Sequence, residues 1–146
     1  MKVREILEAK GRRVVTIRPD ATIATAVHRL ALERIGALVV SEDGRSVAGI
    51  LSERDIVRAL AQEGAEIMGT SQRVADVMTT GVATCSMEDN IKAVMAEMTR
   101  RRFRHLPVIE DGRLAGIVSI GDVVKSRLGE MELETVMLRE AYIAAH

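Results

Sequence analysis

The chain has 146 residues and a mass of 16.0 kDa, with 21 Lys+Arg balanced by 21 Asp+Glu, 47% hydrophobic residues, one Phe and one Tyr. Zero formal net charge excludes a strong electrostatic hold on nucleic acid or an anionic membrane, and the apolar fraction is too high for a disordered chain. Charges interrupt every run well before the roughly 18 apolar residues of a membrane span, Met1 to Arg13 holds no signal-peptide core, and Cys85 is the single cysteine, so a reduced cytoplasmic protein is expected.

Val3, Ile6 and Leu7 mark a short helical lead-in. Val14-Val15-Thr16-Ile17 is a β-branched run stopped by Pro19, and Ile23, Ala26, Val27, Leu30 and Ala31 then recur at helical spacing. Gly36 is expected to break that helix. Ala37 to Val40 predicts an apolar strand, Glu42-Asp43-Gly44-Arg45 a turn, Val47 to Leu51 the returning strand, and Ser52 opens a helix carrying Ile56, Val57 and Leu60.

The same order then returns. Leu38 to Arg45 is matched by Leu106 to Arg113, and Ala48 to Asp55 by Ala115 to Asp122. Thr16 lies 68 positions from Thr84 and Gly49 lies 67 from Gly116, which leaves one extra residue near Ser46 in the first turn. The chain therefore divides into repeat 1 at 1–60, a linker at 61–73, repeat 2 at 74–128 with its own lead-in Val74-Val77-Met78, and a C-terminal helix at 129–146. The expected class is α+β: two β-α-β-β-α units, each too small to be comfortably stable alone, packed sheet to sheet as a pseudo-two-fold pair. The spare apolar face of the last helix is expected to associate with a second copy or to fold back on its own chain.

Ser-x-x-Asp stands at the junction of last strand and last helix in both units, as Ser52/Asp55 and Ser119/Asp122. Ser with an acidic residue three positions on is a capping box. The same geometry also aims a hydroxyl and free helix-start amides at a phosphate, while the carboxylate is free to accept the hydroxyls of a ribose. Gly49 and Gly116 precede each motif, where the missing side chain would admit a flat ring.

Gly116-Ile117-Val118-Ser119 and Asp122, following Arg104-His105-Leu106-Pro107-Val108 in a chain with two matching halves, resembles a tandem pair of cystathionine-β-synthase (CBS) domains, from about Val3 to Leu128. That regulatory module also occurs in IMP dehydrogenase, chloride channels and the AMP-activated protein kinase. The resemblance implies adenosine-containing ligands, AMP, ATP, NAD(H) or S-adenosylmethionine, bound in two clefts between the copies. By the same resemblance one cleft combines Ser119, Asp122, Arg104 and His105 with Val14, Ile35 and Gly36, and the other combines Ser52, Arg54 and Asp55 with Thr79, Thr80, Val82 and Phe103. Arg104-His105 stands opposite Gly36-Ala37, so the first cleft is expected to hold anions more strongly.

Other chemistries find little support. Cys85 lies in a strand pattern and reads as a small core residue, His28 as a surface residue, and three scattered His with one Cys make no zinc set. Neither a dinucleotide-binding glycine turn nor a phosphate loop occurs, and the basic run Arg100 to Arg104 lacks the aromatic platform of a single-strand binder. No metal, catalytic cofactor, nucleic acid or membrane is expected. The function implied is that of a non-catalytic sensor of energy or redox state, homodimeric, acting on an unidentified regulated protein; a ligand-free dimerisation module is the alternative.

Overall fold

The structure, a computed structural model, describes residues 1–145. In chain order the elements are α1 (Val3–Lys10), β1 (Thr16–Ile17), α2 (Ile23–Glu33), β2 (Ala37–Val40), β3 (Gly49–Ser52), α3 (Glu53–Glu63), a 3-10 turn (Gly64–Met68), α4 (Val74–Val77), β4 (Cys85–Ser86), α5 (Ile91–Arg101), β5 (His105–Glu110), β6 (Arg113–Ser119) and α6 (Ile120–Ala145). Each repeat forms a three-stranded sheet, β1-β2-β3 and β4-β5-β6, with the first pair parallel and the second antiparallel. Antiparallel bridges Lys2–Asn90 and Thr22–Arg73, at corresponding places in the two halves, express the pseudo-two-fold relation.

The repeat extends to individual side chains. Ile23, Ala26 and Leu30 are the buried face of α2, and their counterparts Ile91, Val94 and Met98 are the buried face of α5. Thr22 caps α2 by accepting from the Thr25 N–H at 3.1 Å, and Asn90 caps α5 by accepting from Lys92 at 2.9 Å. Both helices end on an arginine in the left-handed region, Arg34 at φ 54° and Arg102 at φ 59°, so Arg34, not Gly36, terminates α2. The extra residue of the first turn is also accounted for: Asp43 Oδ1 accepts from the Arg45 and Ser46 N–H groups, both at 2.8 Å, which holds its carboxyl below the usual range.

The lead-in helices are exchanged. Val3, Ile6 and Leu7 of α1 are buried with Cys85, Ile91, Met98, Leu106 and Val118 of repeat 2, and Val74 of α4 is buried with Ile23, Leu30, Leu38 and Leu51 of repeat 1. Backbone bonds fix the exchange, from Val3 N to Asp89 O at 3.0 Å and from Val74 N to Ala21 O at 2.8 Å. A lead-in therefore completes the core of the opposite repeat. Ile67, on the expected linker, is fully buried in the first core, so the connection is itself part of the packing.

Gly49 and Gly116 serve this exchange and do not clear space for a ring. A Cβ on Gly116 would lie 2.7 Å from Leu7 Cδ1, and one on Gly49 would lie 2.7 Å from the Thr79 carbonyl oxygen and 2.8 Å from Met78 Sδ. Nor is there a break at Leu128: the last helix of repeat 2 and the C-terminal helix are one element, α6. Its distal side chains, among them Leu128, Met131, Leu138 and Ile143, are exposed and do not fold back on the chain.

Gly49→Ala is expected to destabilise by about 1–3 kcal/mol, since backbone must move, whereas Gly116→Ala displaces only a flexible leucine and costs less. Urea unfolding of the two variants checks the order.

Candidate functional site

The exchange of lead-ins leaves an open cleft of about 460 Å³ between the repeats, within the range of roughly 300–1,000 Å³ typical of ligand sites. Its floor is the β3–α3 junction. Asp55 is buried, with Oδ2 accepting from the Ser52 N–H at 2.9 Å and the Ser52 hydroxyl at 3.0 Å, while the Asp55 N–H donates to Ser52 Oγ at 3.2 Å. The capping box is complete, and it orients the carboxylate rigidly. Oδ1 accepts from the Thr79 hydroxyl at 3.0 Å, from the chain that follows α4. A carboxylate offers about four acceptor positions, so three bonds leave Oδ1 capable of one more, or of two if Thr79 turns away.

One wall is apolar, formed by Ile50, Val82, Ala83, Phe103 and Ile120. The rest is basic: Arg54, Arg58, Arg101, Arg102 and Arg104 line the cleft against two carboxylates, Glu53 and Asp55. Arg101 lies 4.7 Å from the centroid of the Phe103 ring. Among the described residues Arg54, Arg102 and Arg104 form no ion pair, which leaves their guanidinium groups available to an anion. Arg102 owes its place at the rim to the left-handed cap that ends α5 and turns Phe103 and Arg104 into the cleft.

The structure gathers residues that the sequence divided between two clefts. Ser52, Arg54, Asp55, Thr79, Val82 and Phe103 share the open cleft with Gly36, Arg104, His105 and Ser119. The reason is the pseudo-two-fold axis: it sets the starts of β2 and β5 side by side, so that the His105 ring lies 3.5 Å from where a Gly36 Cβ would stand. Thr80 and Val14 do not line this cleft, and Ile35 lines a shallower groove with Val27, Leu30 and Ile56.

Asp122 is also outside it. Its Oδ2 accepts from the Ser119 N–H at 2.9 Å, as the capping motif predicts, and from Lys10 Nζ at 2.7 Å. Burial alone would raise the Asp122 carboxyl, but the Lys10 ammonium and the Ser119 N–H outweigh it and hold the group below the ordinary range. Lys10 and Arg58 are contributors to which no motif pointed, whereas Arg101 and Arg102 were visible as part of the basic run Arg100 to Arg104.

A family model described as the CBS domain matches residues 3–62 and again 74–129. The chain belongs to the CBS domain family. A CBS-domain containing protein of Agrobacterium tumefaciens superposes with a TM-score of 0.82 and 46% identity, covering 87% of this chain and 99% of that one. CBS domain-containing protein CBSX3, mitochondrial, of Arabidopsis thaliana is 34% identical over 97% of this chain and 71% of its own length. At 24% identity and a TM-score of 0.77, covering 89% of this chain and 98% of its own, the CBS domain pair of protein MJ0100 shares the fold; that structure holds 5'-methylthioadenosine and S-adenosyl-L-methionine. CBS pairs are regulatory modules that bind small molecules, and no helix among the described residues is long and apolar enough to cross a membrane.

Away from the cleft, burial with Asp89 nearby pushes the Cys85 thiol up to about 12, so it behaves as core filling and not as a nucleophile. His28 is exposed on α2, as expected, and no cluster of metal-binding side chains occurs among the described residues.

His105 is held below its ordinary value by burial first, then by Arg104 and Lys10, against weaker opposition from Asp122 and Glu53. A depressed folded value means that the unfolded chain binds the proton more readily. The stabilisation is thus present above the unfolded value of about 6.5 and is lost as pH falls through the folded value. Thermal melts between pH 7.5 and 5 should show a decline in Tm below about pH 6.5 that is shallower in His105→Gln.

Proposed function

We propose that this chain is a non-catalytic regulatory module that binds an adenine nucleotide, AMP/ATP or NAD(H), in the cleft between its repeats. The observation that carries this is the pairing, in one cavity, of the buried and rigidly oriented Asp55 carboxylate with three arginines that form no ion pair among the described residues. Asp55 and Thr79 take the ribose hydroxyls, the apolar wall of Val82, Ala83 and Phe103 takes the base, and Arg54, Arg102, Arg104 and His105 take the phosphates. A pair of this fold accommodates adenosine-containing ligands, as the MJ0100 structure holds. The basic rim favours a phosphate over the cationic sulfonium of S-adenosylmethionine, which is the alternative ligand.

The ligand touches side chains from both repeats. Binding therefore favours one relative arrangement of the halves, and a regulated protein that distinguishes arrangements reads the ligand level. Each polar group of the cleft has a binding role in this reading: Asp55 holds the helix cap and takes the sugar, and His105 takes the phosphate. The cytoplasm is the compartment proposed.

Calorimetry with AMP should register binding to the natural chain and at least a tenfold loss in Asp55→Asn, since a charge-assisted hydrogen bond contributes about 1.5–3 kcal/mol. Asp122→Asn should leave affinity within about twofold, being outside the cleft. Absence of binding for AMP, ATP, NAD, NADH and S-adenosylmethionine alike would leave a ligand-free dimerisation module.

A homodimer is proposed through α6. Leu128, Met131, Thr135, Leu138, Tyr142 and Ala145 follow the three-four spacing of a coiled-coil seam, and the large side chains among them are exposed in the single chain. Leu138→Glu should shift the species seen by sedimentation velocity toward monomer with no change in the melting of the CBS core.

A further inference from the structure

The two halves differ at one place that decides how many ligands the chain can hold. Leu7 and Met78 are equivalent, each packed against the glycine of the opposite repeat, Gly116 and Gly49. After Met78 the chain is already extended: Thr79 pairs with Ile50 through two backbone bonds, at 2.8 and 3.0 Å, and its hydroxyl rests on Asp55. After Leu7 the helix continues for another turn, Glu8-Ala9-Lys10, before Gly11 ends it at φ 97°. That turn carries the Lys10 ammonium onto Asp122 Oδ2 at 2.7 Å and the Ile117 carbonyl at 3.0 Å. Ile117 matches Ile50, whose carbonyl in the other half accepts from backbone.

We infer that Lys10 closes the sugar end of the twin site, its ammonium neutralising the Asp122 carboxylate and covering the Ile117 carbonyl, and thereby limits the chain to one adenine nucleotide. This rests on the function proposed above. The remainder of the twin is already formed: the open cleft reaches His105, Ser119 and Ile120, and Ser119 and Asp122 exchange the same two backbone-to-side-chain capping bonds as Ser52 and Asp55. What the twin lacks is an uncompensated carboxylate, since the Lys10 ammonium stands on Asp122 Oδ2 where Asp55 Oδ2 has only the Ser52 hydroxyl. An ammonium with three donors and no acceptor satisfies a carboxylate as two ribose hydroxyls do, and being part of the chain it competes at high effective concentration.

The test counts sites. Calorimetry with AMP is run on the natural chain, Lys10→Ala and Lys10→Ser, with circular dichroism to confirm folding; Lys10 is exposed, so a modest fall in Tm is the only structural effect expected. The natural chain should bind one AMP per chain and each variant two, and Asp122→Asn in the Lys10→Ala background should return the count to one. Two sites in the natural chain, or one site in both variants, would overturn the role of Lys10 while leaving the open cleft's function standing. No binding by the natural chain with one site in the variants would instead sustain Lys10 and overturn the open cleft. Silence from all three would overturn both.

Discussion

The exchange of lead-in helices is the constraint on which the cleft depends. Two units of about 60 residues bury too little surface for comfortable independent stability, and here each lends three apolar residues to the other: Val3, Ile6 and Leu7 in one direction, Val74, Val77 and Met78 in the other. Because a core is complete only when both halves are present, the halves cannot drift apart without unfolding. The space that remains between them is lined from both sides, which is what a module responding to a ligand requires.

Within that frame the symmetry is deliberately imperfect. Asp55 and Asp122 occupy equivalent capping boxes, yet one faces an open cavity and a threonine hydroxyl while the other is neutralised by Lys10. The basic residues are unequal in the same sense. Arg101, Arg102 and Arg104 of repeat 2 lean over the Asp55 site, where the matching stretch of repeat 1 ends in Ile35 and Gly36. The sugar acceptor thus comes from repeat 1, and all the phosphate donors except Arg54 come from repeat 2.

The doubling, the capping boxes and the alternation of strand and helix were legible in the sequence because each rests on local chemistry: Ser52 and Ser119 cap, Gly44 and Gly112 turn, and the 3.6-residue period marks the buried faces of α2 and α5. The partner of a lead-in helix is a long-range matter and was not legible, since Val3-Ile6-Leu7 is equally apolar whichever sheet it covers. The glycines were misread for the same reason: a missing Cβ shows that something comes close, and only the fold shows that it is Leu7 or Met78. Arg34 ended α2 ahead of Gly36 because a left-handed arginine satisfies the helix end two residues sooner.

Lys10 did leave a trace. Nine positions separate Leu7 from Thr16 but only six separate Met78 from Thr84, so the first lead-in has three residues to spare, close to one helical turn. Comparing the lengths of the two connections, and not only their motifs, would have located the side chain that distinguishes the clefts.

The most direct measurement of the central claim is a crystal structure of the chain grown with AMP. The account places the sugar hydroxyls within hydrogen-bonding distance of Asp55 and the phosphate among Arg54, Arg102 and Arg104. Density for the nucleotide elsewhere on the surface, with the Asp55 carboxylate still facing an empty cleft, would contradict it.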